Sequence, residues 1–189
     1  MLKAKDFRAA AWQKLTGFWT TAVLCTLLYL VINYALGATL IGALLLGGPF
    51  WAGYHWFCLA QIRGQHPSVS SLFDGFQKSF VTNIAAYLLV SIFTALWSLL
   101  LVIPGIVKSY SYAMVPFILN DNPDMEVTKA IDESRYLMDG NKWRLFCLDF
   151  SFIGWYLLTS VTFGVAGLWV SPYSVCARAQ FYETIKNKD

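Results

Sequence analysis

The chain has 189 residues, of which 57% are hydrophobic and 13% are charged, and its formal net charge is +3. Average soluble domains carry roughly 25% charged residues, so this composition excludes an ordinary water-soluble globule. A net charge this small gives no reason to expect nucleic acid as a partner. The length allows about six membrane crossings of roughly 20 residues each, with no room for a separate soluble domain.

Long stretches without Asp, Glu, Lys or Arg predict the membrane-spanning helices. Three such stretches each exceed the about 18 apolar residues that indicate a span. They lie between Lys14 and Arg63, Lys78 and Lys108, and Asp149 and Arg178. Divided at glycine and proline, they predict helices at residues 17–36, 40–62, 80–103, 105–119, 143–163 and 167–185. We therefore predict an all-α, polytopic membrane helical bundle of six spans in three hairpins.

A short polar or amphipathic stretch precedes each predicted hairpin. The chain is thus predicted to form one membrane domain, residues 1–189, with hairpin units at residues 3–63, 67–120 and 124–186. These units are either copies of one repeat or three ordinary hairpins, and the sequence leaves both interpretations open. The boundary between the first two helices is also open, because glycines at several positions can end a helix there.

The third of these stretches predicts a surface helix between Asn122 and Gly140. Residues at helical spacing form one largely apolar side, and the charged residues face away from it. The residues of this side are Val127, Ala130, Ile131, Ser134, Leu137 and Met138. Asparagine suits the start of such a helix and glycine its end. We expect short cytoplasmic amphipathic helices of this kind to pack their apolar faces against the bundle.

Basic residues predict the orientation of the chain. Of fourteen Lys and Arg residues, all except Lys108 and Arg178 fall in the two terminal segments or the two long loops. Three hairpins place those four segments on one side, and the positive-inside rule makes that side cytoplasmic. The sequence therefore predicts a multi-pass plasma-membrane protein with both termini in the cytoplasm.

The third unit contains a recognisable set of residues. They are Ala130-Ile131, Ser134, Gly140-Asn141-Lys142, Phe146, Ser151 to Trp155, Pro172-Tyr173 and Phe181-Tyr182. This pattern resembles the bacterial membrane-protein family catalogued as domain of unknown function 975, as do residues 8–19 and 104–106. The membrane region of some glycerophosphodiester phosphodiesterases is more distantly similar. The resemblance implies a bacterial plasma-membrane protein and supplies no catalytic residues.

Motifs with a chemical mechanism are missing from the sequence. It has no H-E-x-x-H, G-x-S-x-G or Walker-type loop, and its histidines are His55 and His66. The four cysteines fall in predicted spans without metal-ligand spacing. We therefore predict no catalytic, cofactor-binding or metal-binding residues and no enzymatic activity. His55 is interpreted as a packed or interfacial side chain rather than a ligand or proton carrier.

Three charged residues lie inside the predicted spans and away from their cytoplasmic ends: Lys108, Asp149 and Arg178. Charges at depth are costly, so they mark candidate functional positions. We predict an ion pair between Asp149 and Arg178 inside the third hairpin. The alternative is that Arg178 reaches lipid phosphates while Asp149 faces a hydrated cavity. Lys108 lies near the end of its predicted span, where its amine can extend to the interface.

Two functions fit these features. The first is a non-enzymatic scaffold, assembly or lipid-interacting accessory protein, with membrane lipids and either a protein partner or further copies of the chain as its partners. The second is a small transporter or channel subunit, which hairpin repeats, prolines within spans and internal charges favour.

Overall fold

The computed structural model describes residues 3–37, 40–100 and 102–187, and every element in these ranges is helical. The α-helices are α1 Ala4–Leu15, α2 Trp19–Gly37, α3 Leu40–Ile62, α4 Asp74–Gln77, α5 Phe80–Leu100, α6 Val102–Ser111, α7 Val115–Asp121, α8 Val127–Leu137, α9 Lys142–Phe150, α10 Ile153–Val161 and α11 Gly167–Lys186. A 3-10 helix, Val69–Phe73, precedes α4. The predicted all-α helical bundle is confirmed.

The predicted spans are only partly tested by these helices. Within the described residues, three segments are long and apolar enough to cross a membrane, and they are Trp19–Gly37, Phe80–Leu99 and Lys142–Val161. The count of six spans stays a prediction. Residues 38–39, at the predicted turn between the first two helices, and the basic residue Lys188 lie outside the described residues.

The predicted fourth span, residues 105–119, is divided into α6 and α7 by a turn at residues 112–114. Pro116 explains the break, because its nitrogen has no hydrogen to donate to the carbonyl of residue 112. The buried Ser134 hydroxyl of α8 donates to the Ser111 carbonyl (2.8 Å) and accepts from the Met114 backbone N–H (3.2 Å). One side chain thus partners two backbone groups beside the break.

The predicted fifth span, residues 143–163, is also two helices, α9 and α10, separated at Ser151 and Phe152. The Ser151 carbonyl accepts a 2.7 Å hydrogen bond from Arg8. A carbonyl turned toward a side chain is a common cause of a bend in a helix. The sequence contains no proline or glycine at this point, so nothing in it marked the break.

The three long apolar segments lie outside three more deeply packed helices. We call α2, α5 and α9–α10 the outer helices, and between 11 and 17% of their apolar windows is buried. The helices that follow them, α3, α6–α7 and α11, are called the returning helices. Helix α3 packs against both α7 and α11, and large side chains such as Phe57, Phe117 and Phe181 are fully buried there.

The short segments before each hairpin pack in a cyclic order. The 3-10 helix and α4 contact the returning helix α3, α8 contacts α7, and α1 contacts α11. The last contact includes the Phe7 and Phe181 rings, whose centroids are 5.2 Å apart. Each short segment therefore lies on the returning helix of the preceding unit, and the first segment lies on that of the third unit. This arrangement favours the repeat interpretation of the hairpins.

Helix α8 lies inside the predicted surface helix and buries Ala130, Ile131 and Ser134. It ends earlier than the glycine, because Met138 is its C-terminal cap. Gly140 follows in a left-handed conformation, with φ of +71°. A residue without a side chain takes this conformation at little cost, so the glycine serves the turn into α9.

Gly53 permits the closest contact between α3 and the 3-10 helix. A Cβ atom at this position would overlap the Leu72 carbonyl. We expect Gly53→Ala to lower the free energy of unfolding in detergent by roughly 1–3 kcal/mol, as overpacking does. Gly154→Ala in α10 is the control, because its Cβ would meet nothing within 4 Å. Equal thermal stability of the two variants would contradict this contact.

Candidate functional site

The internal charges of the third unit meet between α9 and α11. Arg178 Nε donates to Asp149 Oδ1 at 2.9 Å, and Arg178 Nη2 donates to Asp149 Oδ2 at 2.8 Å. This bidentate geometry is the strong form of an arginine–carboxylate contact. The Asp149 side chain is 14% exposed and that of Arg178 is 36% exposed. The structure thus brings together the two residues that the sequence placed in one hairpin.

Polar residues from the other two units surround this pair. Each returning helix has a polar residue six positions after a proline; these residues are His55 after Pro49, Tyr110 after Pro104 and Arg178 after Pro172. Arg178 interacts electrostatically with both His55 and Tyr110. Tyr110 also interacts electrostatically with Asp149. Equivalent positions of the three hairpins therefore contribute to one central polar cluster.

A cavity of about 310 Å³ opens beside Arg178 and His55. Thr26, Tyr54 and Ser174 also line it. The Thr26 hydroxyl donates to the Ala22 carbonyl (2.8 Å) and lies 2.9 Å from the Tyr54 hydroxyl. A hydroxyl has one hydrogen, so Tyr54 is the donor in the second contact. The lining therefore combines polar groups with apolar walls, as in many sites for small ligands.

His55 supplies a hydrogen-bond acceptor to this cavity. Its Nδ1 lies 2.8 Å from the Trp51 carbonyl oxygen, which can only accept, so Nδ1 carries the hydrogen. In the neutral ring Nε2 is then the acceptor. Within the described residues, Nε2 has no hydrogen-bond partner. The His55 side chain is half-buried among aromatic rings, and its ring centroid lies 5.4 Å from that of Phe117. It therefore packs against its neighbours and still has surface that a solute in the cavity can contact.

A second ionic cluster joins the far ends of the three returning helices. Asp121 at the end of α7 accepts two hydrogen bonds from Arg63 (2.7 and 3.0 Å) and one from Tyr182 (2.9 Å). Its carboxylate also contacts Lys186, and Arg63 continues to Glu183 at 2.8 Å. We call these five residues the end network. Its aspartate side chain is only 10% exposed.

The end network sets the charge of Asp121. Burial of this carboxyl acts to raise its pKa, but hydrogen bonds from Arg63, Lys186 and Tyr182 outweigh burial and hold the pKa below its ordinary value. The pKa of the Arg63 guanidinium is raised, chiefly by its hydrogen bond with Asp121. Both shifts favour the charged forms, so Asp121 and Arg63 form an ion pair at neutral pH.

The sequence analysis did not single out the end network. The sequence does contain one indication of this network. Three apolar helices have a charged residue at or just beyond their ends, and the charges are of both signs: Arg63, Asp121 and Lys186. Pairing them required the knowledge that those three ends meet. Lys108, the third predicted site residue, lies apart from both clusters, with its Nζ 4.8 Å from the centroid of the Trp97 ring.

The described part of the chain shows neither a metal-ligand cluster nor a disulfide. In residues 3–37, 40–100 and 102–187, no cluster of three His, Cys, Asp or Glu side chains is placed to hold a metal ion. All four cysteines are free, and three of them, Cys25, Cys58 and Cys176, are buried. Buried free cysteines of this kind act as small apolar packing residues.

Fold and site together define a helical-bundle protein whose described residues include three segments apolar and long enough to cross a membrane. Residues 98–189 match the family described as "protein of unknown function (DUF975)". The matched segment is slightly less than half of the chain, and its similarity to this family confirms the resemblance found between Ala130 and Tyr182. The similarity to glycerophosphodiester phosphodiesterase membrane regions stays a prediction. No curated protein and no solved structure matches the chain.

We predict that Asp149→Asn and Arg178→Gln each lower thermal stability in detergent, because either change leaves a partly buried polar group without its partner. The double variant should lose less than the sum, with a coupling free energy of about 1–3 kcal/mol in a double-mutant cycle.

The control is the exposed pair Arg135 and Asp132, whose 2.8 Å contact has the same chemistry. Their side chains are 53% and 71% exposed, so this pair should couple weakly. Additive losses for Asp149 and Arg178 would show that their contact does not stabilise the fold.

We also predict that Asp121→Asn destabilises the protein by about 1–3 kcal/mol at neutral pH. The carboxylate's contribution is complete above its ordinary pKa of about 3.9 and is lost as pH falls through the lowered native value. The difference in unfolding free energy between wild type and variant should therefore shrink from about pH 4 downward. Asp124→Asn, on the exposed loop nearby, should have little effect; a pH-independent difference for Asp121→Asn would refute the ionic explanation.

Proposed function

We propose that this chain is a non-enzymatic integral membrane protein of the bacterial plasma membrane, acting as a scaffold, assembly or lipid-interacting accessory protein. The observation that carries the proposal is the apolar surface of the outer helices. Val31 is 58% exposed, Leu99 86% and Val161 76%. Soluble monomers rarely expose large contiguous apolar surfaces, whereas acyl chains of lipids cover them at no cost in hydration.

The distribution of charge supports both the membrane location and the proposed orientation. Most charged residues lie in the end network and in the short segments, at one end of the hairpins, while residues 37–39 and 162–166 between paired spans carry none. Basic residues near the ends of spans favour the cytoplasmic side. We therefore place both termini and the end network in the cytoplasm.

A binding role rather than catalysis is supported by the nature of the central cluster. Its carboxylate is held by a bidentate arginine, an arrangement in which both carboxylate oxygens accept hydrogen bonds and neither is free to take a proton from a substrate. Membrane lipids, and a protein partner or further copies of the chain, are the partners that such an exposed apolar surface accommodates.

The cavity at Arg178 and His55 favours a second candidate, a small transporter or channel subunit. Substrate sites of transporters combine polar side chains with interrupted helices near the middle of the bundle, and α6–α7 and α9–α10 are both interrupted. Flux into proteoliposomes distinguishes the two. Saturable uptake abolished by Arg178→Gln would favour transport, and its absence would favour the accessory role.

The proposed topology predicts the behaviour of reporter fusions. A reporter that is active only outside the cytoplasm should give no signal when it is fused after Asp189, because the C-terminus is basic and cytoplasmic. The same reporter inserted after Gly164, in the exposed turn between α10 and α11, should be active. Activity measured in whole cells, with both fusions detected at similar levels in membranes, tests this; the reverse pattern would overturn the proposed orientation.

A further inference from the structure

Lys108 is an unusual residue for its surroundings. It lies on α6 next to Ile106 and Val107, which are 47% and 44% exposed. An ammonium group on an apolar, lipid-facing helix is costly unless it reaches a partner. Within the described residues Lys108 forms no ion pair, and its amine lies over the Trp97 ring. A ring face attracts a cation but does not neutralise it.

A cavity of about 340 Å³ adjoins this amine, between the second hairpin and the amphipathic helix α8. Lys108 and Trp97 line its hairpin side, and Thr128, Asp132 and Arg135 line its α8 side. Its volume falls in the range of sites for small ligands, roughly 300–1,000 Å³. The cavity thus has a cationic and hydroxyl-bearing part next to an aromatic wall.

The charges of this cavity favour an anion. Two cations, Lys108 and Arg135, face one carboxylate, Asp132. Arg135 donates to that carboxylate through Nη1 at 2.8 Å, and a guanidinium has further N–H donors in the same plane. The Thr128 hydroxyl is exposed and supplies another donor. After the contact between Arg135 and Asp132, one positive charge remains without a counter-ion.

We propose that this cavity binds the phosphate of an anionic phospholipid, with Lys108 and Arg135 as its cationic contacts and Trp97 against the upper acyl chain. A phospholipid headgroup and free phosphate would both present a phosphate anion to this cavity. The position of the cavity beside an apolar helix face favours the lipid. Phe93 and Trp97 form the wall, and the adjoining helix face is apolar. Basic pockets between membrane helices bind anionic headgroups in this way. This inference rests on the proposed membrane location.

Tryptophan quenching by brominated lipids tests the site in the full chain. The protein in uncharged detergent is titrated with brominated-chain phosphatidylglycerol or, in parallel, brominated-chain phosphatidylcholine. The contribution of the site is the difference in fluorescence quenching between the wild type and the Trp97→Phe variant. We expect half-maximal quenching at a lower mole fraction of phosphatidylglycerol than of phosphatidylcholine. Lys108→Gln should weaken the phosphatidylglycerol response about fivefold, the effect of roughly one cation near a membrane surface, and leave the phosphatidylcholine response unchanged.

Two variants control for charge and for structure. Lys108→Arg keeps the cation and should retain the preference for phosphatidylglycerol. Lys78 also lies over a tryptophan, with its Nζ 6.0 Å from the Trp56 ring centroid, but it does not line this cavity. Lys78→Gln therefore removes a similar lysine from a different place. Lys78→Gln should behave like wild type. Equal responses to the two lipids, or a preference that survives Lys108→Gln, would overturn the proposal.

Inorganic phosphate and membrane extraction separate the remaining outcomes. If inorganic phosphate at constant ionic strength abolishes the Trp97 quenching by phosphatidylglycerol at micromolar concentrations, the site binds soluble phosphate and the lipid assignment fails. Carbonate washing of membranes tests the membrane location independently. A protein that resists washing yet shows no lipid preference overturns this inference alone, whereas release by carbonate overturns the proposed function.

Discussion

Polar groups placed inside an apolar bundle must find partners within the protein, and this requirement organises the centre of the molecule. Removing a charge from water costs several kcal/mol unless a partner offsets it. Asp149 and Arg178 meet the requirement with two short hydrogen bonds that join α9 to α11. The neighbouring Ser151 carbonyl, released where α9 ends, is met by Arg8. Satisfying a polar group at the helix break therefore also attaches α1 to the third unit.

The same requirement explains the role of α8. A break in α6–α7 leaves backbone groups with fewer partners in a region poor in water, and each unsatisfied group there is costly. Ser134 supplies both a donor and an acceptor at that break. An amphipathic helix that the sequence predicts as a surface element thus has a specific structural function. Its contact with α7 is one of three equivalent contacts that complete the cyclic packing.

Elements with strong local signals could be predicted from the sequence. The apolar stretch without charges predicted α3 at its observed bounds, Leu40–Ile62, and periodic apolar residues predicted α8. Asp149 and Arg178 were found because isolated charges in long apolar segments stand out. Arg63 and Asp121 gave no comparable signal, because charges at helix ends are common and their pairing depends on which ends meet in space. The division of the fifth span at Ser151 likewise coincides with a tertiary contact, the hydrogen bond from Arg8 to the Ser151 carbonyl, and neither Ser151 nor Phe152 is a residue that breaks helices.

The central cluster shows how three similar hairpins come to differ. Positions six residues after a proline hold His55, Tyr110 and Arg178, and three arginines there would repel one another in a low-dielectric interior. One arginine with one carboxylate is neutral as a pair, while a histidine and a tyrosine add hydrogen-bonding groups without a fixed charge. One fixed cation paired with one carboxylate is therefore the favourable arrangement at the centre, and in this chain the third unit supplies both. If the units arose by duplication, this is the position at which identical copies are least tolerated.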